Sequence, residues 1–138
     1  MSTRRLLLLH AGCAWVWPLA ARASPDTPTD ADLLAVRLWP ASAYTRVTLE
    51  SDRPLAARHF VTTDPERLVI DIDGLSLSPR LRELVAKLQA DDPFIASVRI
   101  GQFQPRVVRL VFDLKQGIAP QVFTLAPVAA YQHRLVLD

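Results

Sequence analysis

Polar and apolar residues alternate with a period of two through most of the chain beyond residue 33, and the clearest run is Arg106–Leu114. Val108, Leu110, Phe112 and Leu114 fall on one side of it, Arg109, Val111 and Asp113 on the other. Alternation of this length, rich in β-branched and aromatic side chains, predicts a strand with one buried face. The same reading predicts strands over Leu34–Trp39, Tyr44–Ser51, Ala56–Val61, Arg67–Asp73, Ile95–Gln102, roughly Pro120–Leu125, and His133–Asp138. Proline-containing breaks at 40–43, 52–54 and 63–66 supply turn chemistry between the early strands. The period changes only once. Ser78 is placed to cap a helix, Pro79 suits its first position, and Leu81, Leu84, Val85 and Leu88 recur at helical spacing, with Arg82, Glu83 and Lys87 opposite. One helix of about ten residues is therefore predicted, ending before Asp91-Asp92-Pro93.

The strands repeat. Arg67–Asp71 and Arg134–Asp138 match Arg109–Asp113 almost letter for letter. Val36-Arg37-Leu38 lies over Val98-Arg99-Ile100, 62 residues on. Arg46–Glu50 lies over Arg109–Asp113 and Phe60 over Phe123, both 63 on, and Arg67–Asp71 lies over Arg134–Asp138, 67 on. Self-similarity of this kind signals a duplicated unit. The fold class expected is all-β: a pseudo-symmetric sandwich of two roughly four-stranded sheets with one short connecting helix. Each four-strand unit has one apolar face, and packing the two units face to face buries both.

Composition adds a leader. Arg4-Arg5 precede an apolar run from Leu6 to about Ala20, and Ala21-Arg22-Ala23 fits a signal-peptidase site, so residues 1–23 read as a signal peptide. The run is too short for a spanning helix. The paired arginine is compatible with twin-arginine or Sec export. Residues 24–33, with two prolines and three acids before Leu33, read as a solvated linker to a domain over 34–138. Cys13 is the only cysteine, so neither a disulfide nor a thiolate metal site is expected in the exported chain. Removing Arg4, Arg5 and Arg22 leaves 13 basic against 14 acidic residues, which gives no argument for nucleic acid or an anionic membrane.

The inventory of reactive groups argues against an enzyme. His59 and His133 are the only histidines after the leader, and no metal-ligand spacing, nucleophile elbow or glycine-rich phosphate loop is present. Neither a cofactor nor a metal is expected. The carboxylate pairs Asp71/Asp73 and Asp91/Asp92 read as structural groups, since a strand acid opposite an arginine is usually a cross-strand ion pair. The outward positions of the strands are more informative. By alternation Arg37, Trp39, Arg46, Thr48, Arg67, Val69, Asp71, Arg109, Val111, Asp113, Arg134 and Val136 point away from the core. A solvated ladder of ion pairs explains such a face without any ligand. The functional alternative is a binding face, with guanidinium forks for carboxylates and a flat indole for stacking. The segment Gly101–Arg106 reads as a loop that draws amides, Phe103 and a guanidinium together. The candidate ligand-binding residues are Arg37, Trp39, Arg46, Arg67, Arg99, Gln102, Arg106 and Arg109.

Val36–Pro40, Tyr44–Glu50, Arg67–Gly74 and Arg106–Leu114, taken in order, resemble the AMIN domain, the N-terminal module of periplasmic N-acetylmuramoyl-L-alanine amidases of cell division. Pro120–Pro127 and Tyr131–Asp138 are similar to the C-type members of that group. The resemblance implies a two-sheet β-sandwich in the periplasm that binds peptidoglycan and localises a cell-wall amidase to the division site. It also implies a zinc-dependent catalytic domain that is absent from this sequence, so no catalytic residue is carried over. Peptidoglycan is the expected partner, with division-site or envelope proteins as further ones. Neither nucleic acid nor a stable membrane anchor after cleavage is expected. The alternative is a periplasmic protein-interaction domain that recruits a secretion or division partner through a sheet edge.

Overall fold

The computed structural model describes residues 29–88 and 92–138. The expected leader, the first part of the expected linker and Asp91 lie outside them. Eight strands and one helix follow in order: β1 (Leu33–Pro40), β2 (Thr45–Ser51), β3 (Ala56–Thr62), β4 (Arg67–Asp73), α1 (Pro79–Ala86), β5 (Ile95–Gln104), β6 (Val107–Leu114), β7 (Val122–Leu125) and β8 (His133–Leu137). The period-two pattern forms strands because one face of each is removed from water. Leu49, Leu68, Ile70, Ile72, Val108, Leu110, Phe112, Leu135 and Leu137 all point into a single core between two sheets. Each such side chain stabilises the fold by about 1.5–3 kcal/mol relative to exposure.

The sheets do not divide the chain at its middle. One runs β1-β2-β8-β7 and the other β3-β4-β6-β5, all neighbours antiparallel. Each sheet therefore joins a hairpin from one half of the chain to a hairpin from the other. Two self-contained four-strand units are the natural expectation from the repeat, and here they exchange their second hairpins. The crossing segments explain how. The chain leaves β2 through Asp52–Pro54 and passes between the layers with Leu55 buried on the way. The β6–β7 connection crosses likewise, with Ile118 packed against the core.

The duplication survives in the pairing register. Val47 opposite Leu137 corresponds to Leu110 opposite Ile70, and Glu50 opposite Arg134 corresponds to Asp113 opposite Arg67. Because a one-residue slip would turn every core residue outward, the apolar pattern holds both central pairs in the same alignment.

Helix α1 is a little shorter than its pattern suggests. Ser78 accepts a hydrogen bond from the Leu81 amide (3.1 Å) and Pro79 opens the first turn. Leu81 and Val85 are its buried residues, and it packs on β1 and β5, an edge strand of each sheet. The end of the expected linker is also tied to the domain. The Ala31 amide donates to the Gly74 carbonyl (2.7 Å), and Asp30 accepts from Arg106 Nε (2.6 Å) and from Ser76. Gly74 turns there with φ 81°, a conformation that favours glycine.

Candidate functional site

The sandwich offers two outer faces, one per sheet, and the period of two delivers the same residue types to both. On the β3-β4-β6-β5 face, Arg109 on β6 sits opposite Asp71 on β4. Its Nε and Nη2 donate to Oδ1 and Oδ2 at 2.7 and 2.9 Å, a two-pronged pair. The guanidinium carbon also lies 3.6 Å from the centre of the Phe103 ring and 5.7 Å from that of Phe60. Two rows along, Asp113 accepts from Ser97 Oγ (2.7 Å), Arg67 Nε (2.8 Å) and Arg99 Nε and Nη2 (3.1 and 3.0 Å). These donors, Ser97 foremost, hold the Asp113 carboxyl down at about 2. Arg109 likewise holds Asp71 below the ordinary carboxylate value, and Asp71 raises the guanidinium in return.

The β1-β2-β8-β7 face repeats this frame. Arg46 Nε and Nη2 donate to Asp138 Oδ1 and Oδ2 at 2.6 and 2.5 Å, which lowers the Asp138 pKa and raises that of Arg46. Arg37 Nη1 reaches Glu50 Oε2 at 3.0 Å. The frame is incomplete at its far end. Arg134 stands where Arg67 does on the other face, yet it lies 4.8 Å over the Tyr131 ring, and its buried Nε has no partner among the described residues. Trp39, 59% exposed, presents an indole beside Arg46, its register partner.

The sequence-derived candidates thus fall into three groups. Arg37, Trp39 and Arg46 share one face, while Arg67, Arg99 and Arg109 share the opposite one. Gln102 and Arg106 belong to neither. Strand β5 continues to Gln104, so the segment read as a loop is mostly strand, with a bulge at 102–104 and a tight turn through Pro105 and Arg106. Successive strand side chains alternate faces, so Phe103 lies against Arg109 on the outside while Gln102 turns away. The Gln102 amide donates to the carbonyls of Gln104 and Val107 (2.7 and 2.9 Å) and accepts from the Leu77 amide (2.8 Å). Arg106, at φ 61°, secures Asp30. Both residues act as tethers. Phe60, Asp71 and Asp138 were not on the candidate list. The repeat carries the missing signal, since it aligns Arg46 with Arg109 and Asp138 with Asp71.

Asp92 is buried and accepts from Thr45 Oγ1 (2.5 Å) and from the Phe94 and Ile95 amides (both 2.8 Å). Among the described residues no group of three or more His, Cys, Asp or Glu is placed to hold a metal ion. No described helix is long and apolar enough to cross a membrane. A mostly apolar cleft of about 220 Å³ opens between the sheets beside Phe94, Phe112 and Ile118. The carboxylate and hydroxyl at its mouth are already committed, Asp138 to Arg46 and Thr45 to Asp92. A shallower depression of about 240 Å³ lies on the outer face between Arg99, Gly101, Phe103, Arg109 and Val111.

A family model described as AMIN domain matches residues 35–138. The chain is 48% identical over 136 residues to the N-acetylmuramoyl-L-alanine amidase AmiC of Escherichia coli O6:H1, covering 99% of this chain and 32% of that protein. It is 42% identical over 138 residues to the N-acetylmuramoyl-L-alanine amidase AmiC of Neisseria meningitidis serogroup B, covering 100% of this chain and 33% of that protein. The chain spans about a third of the length of these relatives.

Proposed function

Because the chain belongs to the AMIN domain family, we propose that it is a non-catalytic module that binds peptidoglycan in the periplasm and localises a cell-wall amidase to the division site. What supports this reading most is the pairing, on each outer face, of a carboxylate-anchored guanidinium with an exposed aromatic ring: Arg46 with Trp39, and Arg109 with Phe103 and Phe60. A two-pronged carboxylate uses two of the five N–H donors of a guanidinium and leaves the others for a ligand. The anchoring holds those donors in place before binding, so little side-chain entropy is lost when a ligand arrives. Aromatic plates beside them suit the C–H faces of sugar rings, and the cations suit the carboxylates of wall peptides.

Co-sedimentation with purified sacculi tests the reading. The protein is expected to pellet with sacculi and not alone, and to be partly released by added salt. Trp39→Ala, at an exposed position with no hydrogen bond to lose, should weaken pelleting without changing the unfolding midpoint. A protein that stays in the supernatant at every salt concentration ends the wall-binding reading.

One observation favours a second reading, a protein-interaction domain. Three of the four edge strands carry features that discourage strand addition: β1 and β5 are bulged, and β7 has four residues. β3 has seven residues, neither proline nor bulge, and a mostly exposed sequence. A partner strand added there would leave sacculus binding untouched by Trp39→Ala or by Arg109→Ala.

A further inference from the structure

Gly101 occupies the place on β5 that Trp39 occupies on β1, 62 residues earlier in the repeat. One face carries the largest side chain there and the other carries none. Nothing among the described residues asks for this glycine. Its φ lies outside the left-handed region, and a Cβ built on it meets no atom of the described residues within 4 Å. The consequence of its missing side chain is external, since Gly101 forms part of the floor of the 240 Å³ depression.

The walls of that depression are chemically distinct. Val111 extends the apolar floor, and the Phe103 ring, 47% exposed, stands on one side with its position fixed by stacking on Arg109. Arg99 stands on the other side. Its Nε and Nη2 are spent on Asp113, while Nη1 has no hydrogen-bond partner among the described residues. An apolar patch at Gly101 and Val111 with room for a methyl group, an N–H donor at its rim and an aromatic plate alongside therefore come together. An acetamido group on a sugar ring meets all three at once: the methyl in the seat, the carbonyl oxygen on the guanidinium, and the ring C–H face on the aromatic. An alanine methyl of a wall peptide fills the seat but gives the plate nothing to stack on.

The geometry points to the depression over Gly101 as a subsite for the N-acetyl group of a glycan strand. This rests on the wall-binding reading and assigns the sugar, rather than the peptide, to the β3-β4-β6-β5 face. The Trp39 face lacks the seat, because the indole stands where it would be.

The test is an NMR titration of the protein with N-acetylglucosamine tetramer, with cellotetraose as the neutral analogue lacking acetamido groups, and with an alanine-rich peptide. Expected is a shift of the Gly101 and Val111 amides with the acetylated sugar alone. Gly101→Val, which the open space around Gly101 predicts to fold normally, should weaken that binding by about tenfold or more. Equal response to cellotetraose, a peptide response at Gly101, or unchanged binding by Gly101→Val overturns the subsite. Sacculus pelleting, run in parallel, separates the two failures. If the sugar arm fails while the protein still pellets, only the subsite is lost. If the protein does not pellet, the wall-binding reading falls with it.

Discussion

The two outer faces share one frame and differ in how it is finished. On the β3-β4-β6-β5 face every described arginine has a carboxylate: Arg109 has Asp71, Arg58 reaches Asp73, and Arg67 and Arg99 converge on Asp113. On the β1-β2-β8-β7 face the equivalents of Arg109 and Arg99 are paired, but Arg134 has no carboxylate partner among the described residues. The difference arises in the connection between β7 and β8. The repeat offset grows from 63 to 67 residues there, and the added length brings Tyr131 over Arg134. At the edges, Trp39 stands on one face and Gly101 on the other. Duplication thus conserved the central strands, where register is dictated by the core, and let the edges and loops diverge.

The largest effects should show the faces to be equal. Leu49 and Phe112 are equivalent and fully buried. Leu49→Ala should cost about 2–5 and Phe112→Ala about 3–5 kcal/mol in urea denaturation. A large loss for only one of them would break the symmetry of the core. The next pair should separate the faces. Arg109→Ala strands a carboxylate that is 11% exposed and removes the aromatic stack, so a loss of about 2–3 kcal/mol is expected. Arg46→Ala leaves Asp138 more open to water and should cost about 1 kcal/mol. Equal losses would show that the Phe103 and Phe60 contacts contribute nothing.

The smallest effect is the dependence on acid. Asp113 has a folded pKa of about 2 against an ordinary 3.8, so its contribution is complete above about pH 4 and is lost as pH falls toward 2. Asp113→Asn should flatten the fall in stability over that window by on the order of 1 kcal/mol, screening included. Asp138→Asn, which loses a single arginine partner, should flatten it less. Chemical denaturation at pH 5, 4, 3 and 2 distinguishes them, and a slope unchanged by Asp113→Asn would remove that carboxylate from the account.

The strands, the helix cap at Ser78 and the repeat were legible because each is a local pattern. Arg67–Asp73 matches its predicted limits for this reason. The hairpin exchange was not legible, because alternation states which face of a strand is buried and not which strand lies beside it. The same limit applies to the arginines. That Arg46 points outward can be read from its neighbours, whereas its bond to Asp138, 92 positions away, needs the sheet order. The Gly101–Arg106 segment was read as a loop because a strand continuing through a bulge looks like one when it contains Gly101 and Pro105. The contact of Phe103 with Arg109 was not legible for a related reason, since Arg109 lies across a hairpin whose turn the pattern placed too early.

The exchanged hairpins also set an order of assembly. All four strands of the β3-β4-β6-β5 sheet lie between residues 56 and 114, so that sheet can pair completely without the chain beyond β6. The other sheet has β8 as an interior strand, and β2 must wait for a partner some 90 residues downstream. Until β8 is in place the β1–β2 hairpin has no partner on its β2 side, and β8, the last of the eight strands in chain order, completes both that sheet and its share of the core. Truncation just before His133 would remove the middle of a layer, not a tail.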